Sequence, residues 1–195
     1  ELPIKNVESL GTSGRKVFKD AHSQIVLKGG DTDDILVAAG GNSEIIGGDG
    51  SDVVIGGTGN NPLSGNSQDD FLIGDLLLSD FFFGDDVLNG GPGNDLIEGG
   101  NGNDTFVFEP SSGNDTIAKF QLNLLNLSES KPIGKDFEIG KDKINLEAFG
   151  YKEFSDVKQK LENNSNGFAL FNDQDSSFLI YGVSADELSG QDFIL

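Results

Sequence analysis

The sequence contains no cysteine, no methionine and no tryptophan, and His22 is its single histidine. Without cysteine, neither a disulfide framework nor a thiolate metal site can stabilise the fold. The chain also lacks an H-E-x-x-H or a G-x-S-x-G motif, which disfavours the common zinc and serine hydrolases. We therefore predict a non-catalytic module, in which His22 is a surface or packing residue.

Basic residues are scarce and unevenly distributed. The chain of 195 residues has 33 acidic residues against 13 lysines and arginines, for a formal charge of −20. Residues 29–118 hold 17 of the acidic residues and no lysine or arginine. Nucleic acid and anionic membranes are disfavoured as partners, because association would begin from repulsion. No apolar run approaches the roughly 20 residues of a transmembrane helix, so we expect no integral membrane segment.

A nine-residue unit is repeated from Gly29 to about Ala118. Its pattern is G-G-x-G-x-D-x-U-x, in which U is a large aliphatic or aromatic residue. The first five copies are contiguous, the sixth is disturbed, two regular copies follow, and the last is out of phase. In chain order the copies are GGDTDDILV, AAGGNSEII, GGDGSDVVI, GGTGNNPLS, GNSQDDFLI, a disturbed copy that ends in GDDVLN, then GGPGNDLIE, GGNGNDTFV and PSSGNDTIA.

Each copy predicts a short turn and a short strand with one core-facing side chain. The glycines at positions one, two and four permit positive φ values and close backbone approach, which leaves carbonyl groups free to point inward. A chain that coils through two copies per turn stacks its strands about 4.8 Å apart. The predicted core residues are Leu36, Ile45, Val54, Leu63, Leu72, Leu88, Ile97, Phe106 and Ile117.

The aspartates at position six create repulsion in such a stack. Two bare carboxylates about 5 Å apart repel by roughly 3 kcal/mol at an effective dielectric of about 20. No basic side chain lies within residues 29–118 to neutralise them. Carboxylate and carbonyl oxygens favour calcium over zinc or copper, so we predict bound calcium. A disordered linker is the alternative interpretation, but regularly placed apolar residues have no role in a linker.

The repeat resembles that of the repeats-in-toxin (RTX, hemolysin-type calcium-binding) proteins secreted by Gram-negative bacteria, which include serralysin proteases and the regulatory modules of alginate epimerases. The resemblance extends over residues 29–195. It implies an all-β fold, a right-handed parallel β-roll of nonapeptide repeats with bound calcium, capped by a small C-terminal β-rich region with short helices. It also implies a secreted module that folds on calcium outside the cell and supports type I secretion and stabilisation of an upstream effector.

The resemblance further implies the calcium ligands. In the family, each ion lies between two successive turns on one edge of the roll. The upstream turn supplies the carbonyls of positions two and four and its aspartate, and the downstream turn supplies the carbonyls of positions one and three and its aspartate. About four to six ions are then expected in all. On one edge, the first site consists of Gly30, Thr32, Asp34, Gly47, Asp49 and Asp52, and the second of Gly48, Gly50, Asp52, Gly65, Ser67 and Asp70. The third consists of Asn66, Gln68, Asp70, Gly90, Pro92 and Asp95. The further ligands implied on this edge are Gly91, Gly93, Ser112 and Asp115.

The opposite edge departs from the family pattern, because Ser43 and Asn61 replace its first two carboxylates. Calcium is therefore expected to be weak or missing over that part of the edge, which makes the roll lopsided. One ion is expected further along, between residues Gly84, Asp86, Gly99, Asn101 and Asp104.

The tail also resembles the family. Residues 104–108 resemble its roll-ending segment, residues 136–150 resemble the segment that caps the last rung, and residues 192–195 resemble the end of proteins exported by type I machinery. Three regions are expected: a lead-in over 1–28, a calcium-binding β-roll over 29–118 with an insertion at about 74–83, and a capping and secretion-signal region over 119–195 with an insertion at about 121–135.

Within the last region, Ser155, Val157 and Leu161 indicate a short helix. Residues 168–171 and 178–181 indicate a hairpin.

Three alternatives remain open. An enzyme is the first, but the spacing of the carboxylates is explained by calcium without acid–base catalysis. The second concerns the insertion after Ile73, whose Leu76–Leu78 and Phe81–Phe83 either form a docking surface or fold back over the roll or its cap. The third is a polysaccharide- or surface-binding module of a secreted epimerase or adhesin, since LKGGDTDD is similar to the start of an epimerase regulatory module. The expected partners are calcium, the type I secretion machinery and, on the third alternative, polysaccharide.

Overall fold

The regular repeat turns the chain into a coil whose successive strands alternate between two sheets. The structure, a computed structural model, describes residues 5–7, 15–18, 25–38, 40–75, 84–121, 130–173 and 175–195. Ile35 pairs with Val53, and Val53 pairs with Phe71, so the sheet advances by two nonapeptide copies per turn of the coil. This is the stacking that the repeat predicts.

One sheet contains eight strands among the described residues, and all of its neighbouring strands are parallel. In spatial order they are β1 (Lys5–Val7), β3 (Ile25–Gly30), β5 (Glu44–Asp49), β7 (Pro62–Ser67), β9 (Val87–Asn89), β11 (Thr105–Val107), β15 (Lys143–Asn145) and β19 (Phe193–Ile194).

The other sheet contains nine strands within the described ranges, parallel except at one end, where the first three are antiparallel. In spatial order they are β16 (Leu161–Asn163), β17 (Ala169–Asp173), β18 (Ser176–Ile180), β12 (Gly113–Ile117), β10 (Leu96–Glu98), β8 (Phe71–Ile73), β6 (Val53–Ile55), β4 (Ile35–Ala38) and β2 (Arg15–Phe18). A separate antiparallel pair consists of β13 (Lys119–Gln121) and β14 (Lys131–Gly134).

The core lies between the two large sheets. All nine predicted core residues are buried and belong to one hydrophobic cluster. They stack in register, as Leu36 pairs with Val54 and Val54 with Leu72. The predicted all-β parallel roll is confirmed.

Strands β6 and β8 are buried on both faces, whereas the repeat predicts one core-facing residue per strand. Phe120 on β13 explains the difference, because its ring packs edge-on against Phe71 with centroids 5.2 Å apart. The hairpin of β13 and β14 thus covers part of the outer face of this sheet. The second cluster formed there comprises Val53, Ile55, Phe71, Ile73, Ala118 and Phe120.

Aromatic side chains from the C-terminal segment close one end of the core. Phe178 stacks on Phe108 and on Phe171, with centroid distances of 4.3 and 4.7 Å. Phe137 packs against Phe106 at 6.0 Å and is fully buried. Strands β15, β18 and β19 extend the two sheets, so the C-terminal segment and the repeats share one core.

The predicted short helix is α1 (Phe154–Lys158), and β17 and β18 form the predicted hairpin. The helix ends before Leu161, which begins β16 instead of continuing the helix. Two 3-10 turns span Glu147–Phe149 and Gly190–Asp192. In the described part of the chain, no helix has the length and apolar character needed to cross a membrane.

His22 and residues 76–83 of the first insertion lie outside the described residues. The two interpretations of the leucine and phenylalanine triplets in that insertion therefore both remain predictions.

Candidate metal centre

One edge of the roll carries a column of buried aspartates at position six of the repeat. Strand pairing places each of them one rung from the next. The backbone N–H of each aspartate donates to Oδ1 of the following one, over 2.8 to 3.0 Å. This ladder fixes one oxygen of each acceptor carboxylate in the column. Its members are Asp34, Asp52, Asp70, Asp95 and Asp115.

The second carboxylate oxygen has a different environment. Oδ2 of Asp70 and of Asp95 is buried and has no hydrogen-bond partner. A Cβ atom added to Gly65 would overlap Asp70 Oδ2 and would lie 2.6 Å from the carbonyl oxygen of Gly90. Two oxygens that only accept hydrogen bonds therefore face the same small space beside Gly65. Such an arrangement is costly unless a cation or a proton lies between them.

Carbonyl groups of the same two turns complete this oxygen-rich space. Asn66 and Gln68 have positive φ values of 79° and 77°. Their carbonyl oxygens face Gly91 and Gly93 of the next turn, where an added Cβ would overlap them. The carbonyls of Gly90 and Pro92 in turn accept from the N–H groups of Asn66 and Gln68, at 2.8 Å each. The structure thus brings together the six residues predicted for the third site, which are Asn66, Gln68, Asp70, Gly90, Pro92 and Asp95.

The earlier turns repeat this arrangement. The carbonyl of Gly30 faces Gly48, and the carbonyl of Thr32 lies 3.0 Å from a Cβ added at Gly50. The turn that begins at Gly65 lies one rung further along, since Gly48 pairs with Asn66 and Asp49 pairs with Ser67. The first two predicted ligand sets, which include Gly47, Asp49, Gly50, Gly65 and Ser67, therefore lie in adjacent turns, and their role stays a prediction.

The last turn of this edge belongs to the last copy of the repeat, PSSGNDTIA. Gly93 donates its N–H to the carbonyl of Ser112 at 2.8 Å, and Asp95 donates to Asp115 at 3.0 Å. Beyond Asp115 the next strand, β18, places Phe178 opposite it instead of an acidic residue. The column of carboxylates ends there.

The opposite edge has a second column, whose ladder bonds measure 2.8 to 3.0 Å. Its members are Ser43, Asn61, Asp86, Asp104 and Asp142. Asp142 comes from the C-terminal segment and was not among the predicted site residues. Asp142 lies 38 residues after Asp104, so the nine-residue spacing of the repeat does not identify it. The DFEIGKD stretch that ends at Asp142 carries the only available signal, a glycine two residues before an aspartate.

Both terminal atoms of the Asn61 side chain form hydrogen bonds. Its Oδ1 accepts from Ser43 N at 2.8 Å, and its Nδ2 donates to the carbonyl of Gly59 at 2.5 Å. A Cβ added to Gly56 would lie 2.9 Å from Asn61 Nδ2 and 2.6 Å from the carbonyl of Gly74. The amide nitrogen therefore occupies the place where Asp70 has its unpartnered oxygen. This geometry supports the expectation that the first part of this edge binds calcium weakly or not at all.

Aspartates in the middle and later turns of both columns bind protons more strongly than an ordinary aspartate does in the absence of metal. Burial raises the pKa of Asp70, Asp86 and Asp95 to about 8, and repulsion by the next aspartate of the column contributes to each shift. Burial likewise raises the pKa of Asp104 and Asp115 to about 7. A divalent cation can replace these protons, since no lysine or arginine lies within residues 29–118.

Side chains alone would not hold the cation. Over the residues that the structure describes, no group of three or more acidic, histidine or cysteine side chains has metal-binding geometry. Backbone carbonyls must therefore supply most of the ligands, which suits a hard cation with a flexible coordination shell. The residues present fit calcium.

A further ladder, which the sequence interpretation missed, runs along the exposed side of each edge. It is formed at position five, where the upstream side chain accepts from the downstream backbone N–H, opposite in direction to the buried ladder. Examples are Asp69, which accepts from Asn94 N at 2.8 Å, and Asp85, which accepts from Asn103 N at 2.8 Å. Asparagine or aspartate fills this position in every copy except that of Ser51, so the signal was present in the sequence.

Comparisons with known proteins identify the repeat. Residues 28–61, 46–76 and 82–117 match the family model of the RTX calcium-binding nonapeptide repeat, which contains four copies. No curated protein matches the chain. Among solved structures, the chain is similar to the extracellular lipase LipA from Serratia marcescens, with 15% sequence identity and a TM-score of 0.39. The alignment covers 93% of this chain and 38% of the lipase chain.

The matched residues include every aspartate of both columns except Asp142, and repeats of this kind bind calcium. The glycines that leave space beside the carboxylates, the inward-pointing carbonyls and the buried carboxylates are thus features of one calcium-binding unit that is repeated along the chain. Residues 28–76 and 82–117 of this chain therefore match the RTX calcium-binding nonapeptide repeat, as the sequence predicts.

Proposed function

We propose that this chain is a non-catalytic module that folds on binding calcium outside the cell, and that it supports type I secretion and stabilisation of an upstream effector. Residues 1–28 lead into the roll, residues 29–118 bind about four to six calcium ions, and residues 119–195 cap the roll and carry the export signal. The observation that carries the proposal is the pair of buried aspartate columns, in which Asp70, Asp86 and Asp95 each have an oxygen without a hydrogen-bond partner.

Calcium concentration is the natural switch for such a module. At cytosolic calcium levels, residues 29–118 keep 17 acidic residues without a basic partner in that segment, so the chain is expected to stay expanded. Extracellular modules bind calcium with dissociation constants of about 10⁻⁴ to 10⁻³ M. Since the ligands come from turns that are adjacent only in the folded roll, the free energy of binding is also free energy of folding.

The C-terminal end supports the same order of events. Phe193 and Ile194 form strand β19, which pairs with β15. Asp192 is buried and accepts a hydrogen bond from Gly140 N at 2.8 Å. An export signal at residues 192–195 would therefore be accessible before the chain folds and partly covered afterwards.

Circular dichroism of the full chain tests the coupling. In excess chelator we expect little β signal, and titration with calcium should restore it cooperatively. Magnesium at equal concentration should fail, because it demands octahedral geometry and releases its water reluctantly. Full β signal in chelator, or equal effects of the two cations, would overturn the proposal.

The export role needs its own measurement. A passenger protein fused before residue 1 should reach the medium of a bacterium with type I machinery, and deletion of residues 192–195 should abolish its export. Export without those residues would remove this part of the proposal and leave the calcium-dependent folding standing.

A further inference from the structure

Asp75 is a buried carboxylate that the repeat pattern does not contain. It stands at position two of the disturbed turn, directly after Gly74, and Gly84 resumes the turn at position four. Only 3% of Asp75 is exposed, and its Oδ1 has no hydrogen-bond partner. Its Oδ2 accepts two long hydrogen bonds, from Asn101 N at 3.3 Å and from Gly84 N at 3.4 Å.

The side chain of Asp75 lies where regular turns place a backbone carbonyl. At Gly48 and Gly91, an added Cβ would overlap the position-two carbonyl oxygen of the preceding turn. At Gly100, the equivalent residue, the nearest groups are instead the Cβ of Asp75 at 2.7 Å and its Oδ2 at 3.3 Å. The disturbed copy accounts for the difference, because eight residues separate Asp75 from Gly84 where a regular copy has one.

Two further oxygens lie beside Asp75. Its backbone N–H donates to the carbonyl of Gly99 at 3.2 Å. That carbonyl and Asp86 Oδ2 both point to the space beside Gly74, where an added Cβ would overlap them. Asp86 is 1% exposed, and its Oδ2 has no hydrogen-bond partner. Buried, unpartnered oxygens of two carboxylates therefore occur in one turn that contains no lysine or arginine.

We propose that the carboxylate of Asp75 replaces the position-two carbonyl as a calcium ligand, which gives the site between residues 74–75 and 84–86 of one turn and residues 99–104 of the next a third carboxylate beside Asp86 and Asp104. The three side chains do not form a chelating group by themselves, so the carbonyls of neighbouring residues complete the site. The inference rests on the proposed calcium-binding function. A third negative ligand makes this site the tightest of the roll, since affinity in oxygen-ligand sites rises with the number of charged ligands.

Calcium titration of the full chain tests the assignment, with the number of bound ions counted by equilibrium dialysis and the affinities measured by calorimetry. Asp75→Asn should weaken the tightest site by roughly 10- to 100-fold and leave the other sites unchanged. Asp85→Asn is the matched control, because it removes the same charge from an exposed position of the same turn. It should change the affinities by less than about 3-fold. Equal effects of the two substitutions would overturn the assignment.

A calcium-bound crystal structure of the unaltered chain covers the case in which Asp75→Asn fails to fold. The inference requires an ion within about 2.3 to 2.6 Å of a carboxylate oxygen of Asp75. An ion bound by Asp86 and Asp104 without Asp75 would refute it while the proposed function stands. A folded chain that binds no calcium would refute both.

Discussion

Asp70 and Asn61 occupy position six of the repeat on opposite edges of the roll, and each accepts a hydrogen bond from the preceding turn at 2.8 Å. They differ in their second terminal atom. Asp70 Oδ2 has no partner, whereas Asn61 Nδ2 donates to the carbonyl of Gly59. The amide of Asn61 thus donates a hydrogen bond within its turn, whereas the carboxylate of Asp70 leaves an oxygen that needs a cation or a proton.

Asn61→Asp should therefore create a calcium site. The substitution replaces the amide nitrogen of Asn61, which donates to the carbonyl of Gly59, by a second carboxylate oxygen. This oxygen would lie beside Gly56, near the carbonyl of Gly74, and Asp86 is the next member of the same column. We expect one additional bound ion per chain and a steeper dependence of folding on calcium concentration. Equilibrium dialysis with radioactive calcium counts the ions.

Asn60→Asp is the control for this substitution. It adds the same charge at the adjacent, exposed position, where the side chain accepts a hydrogen bond from Asp85 N at 3.2 Å. The ion count should stay that of the unaltered chain. An unchanged count for Asn61→Asp would show that position six does not determine which turns bind calcium.

The strands and turns of the roll could be predicted from the sequence because each depends on residues within a single copy. Leu36, Val54 and Leu72 reach the core for a local reason, the alternation of a short strand. Contacts between distant segments could not be predicted in this way. Asp142 joins a column of repeat aspartates because the chain returns to the roll after leaving it, and Phe120 covers Phe71 from a strand outside the repeat.

Asp75 was missed for a related reason. The insertion that follows it breaks the nine-residue register, so its position in the repeat is recognisable only after Gly84 and Asp86 have been placed in the same turn.

At the scale of elements, the hairpin of β13 and β14 should stabilise the roll through Phe120. This residue is 7% exposed and packs on Phe71. Phe120→Ala should lower the free energy of unfolding in saturating calcium by about 3 kcal/mol, the range of large-to-small substitutions at buried positions. Urea denaturation monitored by circular dichroism gives the value.

Ile133→Ala provides the comparison within the same hairpin. Ile133 lies on β14 and is 59% exposed, so its removal should change the free energy of unfolding by less than about 0.5 kcal/mol. If both substitutions had the same small effect, the hairpin would be an appendage and not a cover of the outer face.

At the scale of the whole molecule, the raised pKa values make protons and calcium alternative partners of the same columns. The pKa of Asp70, Asp86 and Asp95 is about 8 in the metal-free fold, against 3.8 for an ordinary aspartate. Such groups favour the folded state fully below pH 3.8, and this contribution is lost as the pH rises towards 8, because the unfolded chain ionises first.

In metal-free buffer, where most of the chain is expected to be unfolded at neutral pH, the β signal should therefore be larger at pH 5 than at pH 8, and calcium should remove most of this difference. Circular dichroism across that range measures the effect, and Asp70→Asn should flatten the pH dependence because it removes one of the shifted groups. Asp69→Asn removes the same charge from the exposed neighbour and should change the slope less, because repulsion by Asp69 is only a small cause of the raised pKa of Asp70. A metal-free β signal that rises from pH 5 to pH 8, or equal slopes for the two variants, would show that the buried columns do not control folding, because Asp70 is buried and Asp69 is exposed.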